Sequence, residues 1–319
     1  MTFTRAMLVW CLVGTMATMT IVSFALTGLS VDLRSNPWLP LAIAGLMSAS
    51  VFYRYRRPNP HLCSVTEAAA QMLLILLFGI LLTYAAMTTN FPYRDAQLYA
   101  IDQALGLDRR AYLDFVNNRP LLAELAGYAY LSLLPQFALV PMVLMIANHL
   151  PNLRRWMLAF GLALIMTSAL SVFAPAVAAF VYLDLTPQVY ANISSTVYKH
   201  VPTLEALRAG TFRSIPLDNL EGLITFPSFH TSAALMYIWA LRTVPFVRWP
   251  AVELNCALMA ATPVDGAHYF IDLVGGAAVA FAALAASSWL CRLVPTDEPS
   301  TVTVPAAASD LAGSAQASI

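Results

Sequence analysis

Successive apolar runs of membrane-crossing length dominate this chain and leave few folds open to it. A helix needs roughly 17–25 predominantly apolar residues to cross a bilayer. Such runs lie near 8–28, 38–53, 66–88, 122–148, 156–182, 228–245, 250–265 and 268–291. Inside lipid every backbone N–H and C=O must be paired within the protein, which helices achieve locally. The expected fold is therefore all-α, a polytopic membrane protein with about eight transmembrane helices. Composition agrees: 59% of the 319 residues are hydrophobic and 11% charged, against about 25% charged in soluble domains. Formal net charge is zero, so charge gives no support to a nucleic-acid partner. Cys11, Cys63, Cys256 and Cys291 show no metal-ligand spacing and read as small buried hydrophobes. The first run follows Arg5, but it is long for a signal-peptide core and ends without a small-residue cleavage site, so it reads as a retained helix.

Basic residues orient these spans. Arg54, Arg56 and Arg57, then Arg154 and Arg155, then Arg242 and Arg248, fall in short loops that eight spans place on one side, with Arg5 and Arg292. By the positive-inside rule that side is cytoplasmic, as are both termini, in what is read as a plasma-membrane protein. Two long loops, 89–121 and 183–227, then lie outside. The first has apolar residues at helical spacing, Leu98, Ile101 and Leu105, stopped by Gly106; Asp108 can cap a second helix from Arg109 to Asn117. These two helices are expected on the membrane surface. The second loop holds a helix from Thr203 to Ala209 ended by Gly210, and the sequon Asn192-Ile193-Ser194. Residues 1–63 carry the first two expected helices, 64–292 the remaining six, and 293–319 a small, polar tail expected to be disordered on the cytoplasmic side.

Polar groups at the mouths of two spans carry the chemistry. His61, His149 and His200 lack partners nearby in sequence, whereas His230 opens the sixth span and His268 the eighth, on the same outer face. Asp272 follows His268 by four residues, a spacing that puts both on one helix face. A carboxylate about a turn inside the membrane needs a partner, and a carboxylate on one imidazole nitrogen fixes the tautomer and raises the basicity of the other. That arrangement suits a nucleophile or base with its supporting acid. Pro227 suits a first helical turn, and Ser228 can satisfy free N–H groups there. A helix N-terminus attracts phosphate, so His230 sits where a proton can be given to a leaving oxygen. The same trio also fits a two-histidine, one-carboxylate metal site or a buried polar network.

The stretches Pro227-Ser228-Phe229-His230 and His268-Tyr269-Phe270-Ile271-Asp272 resemble the motifs of the type-2 phosphatidic acid phosphatase and haloperoxidase superfamily. The HYxxD form, with a bulky residue before the first histidine, is similar to its inositol phosphorylceramide synthase branch. The resemblance spans about residues 64–292 and implies a six-helix core there, with two extra helices ahead of it, and phosphoryl transfer through a phosphohistidine. It casts His268 as nucleophile, Asp272 as its orienting carboxylate and His230 as general acid, then base. The phosphatase members' KxxxxxxRP motif is missing, and Ala261 and Thr262 stand where many members have Ser-Arg. Cations for the phosphate are sought in Lys199, the single lysine, Arg208 and Arg213, with Ser228 as a further substrate contact. The resulting expectation is a lipid phosphatase or phosphotransferase opening to the outer leaflet, leaning to headgroup transfer, on a phospholipid or polyprenyl phosphate, with no cofactor. A transporter lined by Glu124, Gln136, Glu253 and Asn255 is the alternative from another class.

Overall fold

The computed structural model describes residues 4–186, 188–193 and 198–294. Its long helices are α1 (Arg5–Thr27), α2 (Trp38–Tyr55), α3 (Pro60–Met87), α8 (Leu150–Phe173), α12 (Arg248–Asp265) and α13 (Phe270–Arg292). Shorter ones are α4 (Asp95–Ala104), α5 (Arg109–Asn117), α6 (Pro120–Leu131), α7 (Leu133–Ile146), α9 (Ala179–Tyr182), α10 (Val201–Ala209) and α11 (Phe229–Leu241). The all-α expectation holds except for one parallel pair, β1 (Ser30–Asp32) with β2 (Ser214–Pro216). The tail 295–319, and Ser194 of the sequon, lie outside the described residues.

Four helices, α1, α3, α8 and α13, are long and apolar enough to cross a membrane, and α6 with α7 makes a fifth if that bent pair is one span. The expected count of eight is therefore not reached by length and composition. The helix of the sixth expected span, α11, has 13 residues and stops four residues before Pro245. The expected run 122–148 is broken at Ser132 by a 51° bend. Pro135 explains the break, because a proline ring clashes with the carbonyl four residues back, here that of Leu131. The expected run 156–182 ends at Phe173, just ahead of Pro175, and resumes only as the single turn α9. Large apolar side chains such as Leu26, Ile146 and Phe281 stay exposed on these helices, as a lipid-facing surface requires.

At the core α3, α8, α11 and α13 pack together, with α1 and α7 against them. Trp156 and Phe160 of α8 meet Phe137 and Tyr237 at ring-centroid separations of 5.3–6.4 Å. Phe229 joins this cluster edge-on to Phe160, which anchors the first turn of α11. Arg154, expected as a loop cation, is instead buried in α8 and paired with Glu67 of α3 at 3.2 Å. Trp10 donates to the same carboxylate at 2.8 Å. A buried charge this deep must be paired, and it ties α1, α3 and α8 together. Gln136 and Asn255, expected to line a path, bond each other at 2.7 Å.

The connecting helices start and stop where their caps predict. The Asp108 side chain accepts from Ala111 N at 3.1 Å, and Gly210 ends α10 in the left-handed region. The helix expected from Leu98, Ile101 and Leu105 is present as α4. Asp95, Leu98 and Asp102 face the protein, while Ile101 and Leu105 are exposed.

Candidate active site

The turn between α12 and α13 holds the second histidine in a strained backbone. Ala267 has φ 53°, a left-handed conformation that costs a residue with a Cβ about 1–2 kcal/mol. Such strain persists only where surroundings over-determine it. Ala179 N donates to Ala267 O at 3.0 Å. The Arg109 guanidinium donates to the carbonyl of His268 and to that of Pro263 at 2.7 Å. The Asp102 carboxylate accepts from Phe270 N and Ile271 N, both at 2.9 Å. The corner is thus clamped by α4, α5 and α9.

Within it, His268 Nδ1 lies 3.2 Å from Asp272 Oδ2. The pairing is not the helical face-sharing expected from the four-residue spacing, because His268 precedes the helix. Tyr269 is the N-cap of α13, and Asp272, in the first turn, reaches back to Tyr269 N at 2.8 Å with the same oxygen. The carboxylate is thus fixed by a capping contact and in turn orients the ring. With Nδ1 donating to Asp272, Nε2 of a neutral ring keeps its lone pair.

Pro227 lies two residues ahead of α11, outside the first turn expected of it. Ser228 is the N-cap, its Oγ accepting from Thr231 N at 3.3 Å. Ser228 is fully buried and its N–H donates to Asp272 O at 3.0 Å, so the two motifs are hydrogen-bonded to each other. Ser232 Oγ donates to Gly276 O at 2.7 Å. A Cβ at residue 276 would overlap the Ser228 carbonyl, so the two helices meet where only glycine fits. His230 and His268 then have ring centroids 6.1 Å apart. Tyr130 of α6 stacks on His230 at 4.2 Å with planes 13° apart. A Cβ at Gly266 would press on both Tyr130 and His268.

The two helix N-termini differ. At α13 the first amides are taken by Asp102 and Asp272. At α11, Phe229 N and His230 N have no hydrogen-bond partner among the described residues. The open end is the one beside His230, and unpaired amides at a helix start favour an anion.

A supporting layer was not anticipated from the sequence. Asp95 accepts from Val177 N at 3.0 Å, Ala178 N at 3.2 Å and the Tyr269 hydroxyl at 2.9 Å. Arg109 is buried against the Phe180 ring, 5.2 Å from its centroid. Burial pushes its guanidinium down to about 10, opposed by the Asp272 carboxylate, which leaves it charged at neutral pH. Burial pushes the Asp102 carboxyl above its usual range, opposed by the two amides it accepts from. The available signal was acidic residues seven apart, Asp95 and Asp102, on one face of α4.

Of the other expected contacts, Lys199 is exposed and pairs with Glu221 at 3.8 Å and Asn219 at 3.3 Å. Arg208 donates to Phe91 O at 2.7 Å and lies over Tyr93, and Arg213 packs beside Gly210. These three sit on the segment leading into α11 and are not in contact with the histidine pair. His200 Nε2 lies 3.0 Å from Val177 O, on the residue whose own N–H donates to Asp95. Among the described residues no group of three or more His, Cys, Asp or Glu side chains is arranged as a metal site.

A protein-family model described as the PAP2 superfamily matches residues 96–286, more than half of the chain. Neither the curated proteins nor the solved structures give a match.

Proposed function

The chain belongs to the PAP2 superfamily, and on that premise we propose that it transfers a phosphoryl or phosphodiester group from a membrane lipid through a phosphohistidine on His268. The observation that carries this is the fixed pair His268–Asp272, with Nδ1 engaged, next to a second imidazole at 6.1 Å. His268 Nε2 attacks phosphorus while the bond from phosphorus to the leaving oxygen breaks. Protonated His230 gives that oxygen its proton and is left neutral. His230 then takes a proton from an incoming hydroxyl, whose oxygen attacks phosphorus as the N–P bond breaks, restoring both rings. Asp272 holds the attacking tautomer and balances the positive charge that develops on His268. The open amides of Phe229 and His230 point to where phosphate oxygens are held. Lys199, Arg208 and Arg213 supply positive charge on the approach, and Ser228 fixes the spacing of the two motifs.

The reading leans to transfer onto an alcohol over hydrolysis, as in the inositol phosphorylceramide synthase branch that the HYxxD motif resembles. In support, His268 and Asp272 are buried, and transfer wins only where water is excluded. We read the site as extracytoplasmic and both termini as inside the cell, a reading supported by the arginines at 54–57, 242 and 248. The experiment is to incubate the purified protein in detergent with phosphate-labelled phosphatidic acid and quench in alkali, where a phosphohistidine survives. The expected result is label on the wild-type chain, none on His268→Ala, and turnover of that variant lower by about 10³-fold or more. Full turnover by His268→Ala overturns the mechanism.

A further inference from the structure

We propose that Asp265 is a specificity-determining residue that accepts a hydrogen bond from a hydroxyl on the substrate's headgroup. The proposal rests on the phosphoryl-transfer reading above. Asp265 is the last residue of α12, three positions before His268. The residue is 6% exposed, and Oδ2 has no hydrogen-bond partner among the described residues. A buried carboxylate without a partner is costly, and the C-terminal end of a helix, where the dipole is negative, adds to that cost. No described residue supplies its partner, and no packing role needs a charge there, so the partner is assigned to the substrate.

The surroundings say what that partner is. Asp265 Oδ1 lies 3.8 Å from where a Cβ on Gly127 would stand, so α6 leaves room beside the carboxylate. Tyr130 follows Gly127 by three residues, on the same helix face, and stacks on His230. Gly266, next to Asp265, separates Tyr130 from His268. The carboxylate therefore neighbours the Tyr130 face of α6 and the Gly266 backbone, both of which touch the reacting pair. A phosphate oxygen would be repelled there. A quaternary ammonium prefers open aromatic faces, and a face of Tyr130 is taken by His230. A neutral hydroxyl donor fits, and it would sit beside the phosphorus without being the atom that reacts.

The test compares phosphatidylglycerol, whose headgroup bears hydroxyls, with phosphatidic acid, which has none, in mixed micelles with the full chain and with Asp265→Asn. The expected result is a fall of about tenfold or more in kcat/KM for phosphatidylglycerol, an unchanged value for phosphatidic acid, and a melting temperature equal to or above wild type, since an unpaired buried charge is removed. A structural role would instead lower the melting temperature and both activities together. Equal loss on the two substrates, no loss on either, or wild-type use of phosphatidic acid alone overturns the assignment. Failure of the wild-type chain to form the phosphoenzyme from phosphatidic acid overturns the underlying reading instead.

Discussion

Replacing Gly276 by alanine tests whether the helix crossing sets the distance between the two imidazoles. A Cβ there would stand 3.0 Å from the Thr231 Cβ and 3.2 Å from the Ser228 carbonyl carbon, with the carbonyl oxygen nearer still. Carbon atoms rest at about 3.5–4.0 Å, so α11 has to retreat from α13 by about 0.5–1 Å. The obstructing atoms are mostly backbone and cannot rotate away. Overpacking of this size costs about 1–3 kcal/mol, so the protein still folds. The retreat carries His230 away from His268, and it weakens the bonds Ser228 N to Asp272 O and Ser232 Oγ to Gly276 O. A misplacement of about 1 Å costs about 100-fold in rate, so turnover of phosphatidic acid should fall about 10- to 100-fold, mainly in kcat. Gly14→Ala is the control. It lies in α1 with nothing within 4 Å of the added methyl, and it should keep full activity and gain up to about 1 kcal/mol. Steady-state kinetics and detergent melts on both variants decide the matter. A folded Gly276→Ala protein with wild-type kcat refutes the reasoning.

Two further outcomes follow from the supporting layer. Asp102→Asn turns one acceptor oxygen into a donor facing the Phe270 and Ile271 amides, so it should cost about 1–3 kcal/mol in unfolding free energy and lower kcat with little change in KM, read by denaturation and initial rates. His200 is held below its ordinary value by burial, partly offset by its contact with Val177 O. The unfolded chain therefore binds that proton first, and stability should fall as pH drops below about 6.5. His200→Gln should flatten that dependence in melts between about pH 5 and 7, and an unchanged slope would contradict it.

The reacting groups were legible in the sequence because each sits in a short local pattern. Ser228 before His230 is a cap, and Asp272 is close enough to His268 to find it by any turn geometry. The start of α5 and the end of α10 were legible for the same reason, since Asp108 and Gly210 act within a turn of themselves, whereas α10 begins at Val201, two residues before the expected Thr203. Asp95, Asp102, Arg109 and Tyr130 were not. Their partners are backbone amides and carbonyls, the Tyr269 hydroxyl, or a ring, 82 to 174 positions away for the bonded ones, and backbone groups carry no residue signature. The inward acids of α4 were not legible because Asp95 and Asp102 flank Leu98 on the buried face while Ile101 and Leu105 face outward, unlike a water-soluble helix. The count of eight is not reached because α2, α11 and α12, from the runs 38–53, 228–245 and 250–265, are not long and apolar enough to be counted as spans, while Pro135 and Pro175 break two other runs without removing a span.

The short parallel pairing of Ser30–Asp32 with Ser214–Pro216 bears on how this protein could be rebuilt. It fastens the exit of the first helix to the strand that runs toward α11, so the opening hairpin is not a removable attachment. A chimera that exchanges α1 and α2 for foreign helices would have to import a matching edge at residue 30, or leave the approach to His230 without its stay. The graftable unit therefore begins at the first helix.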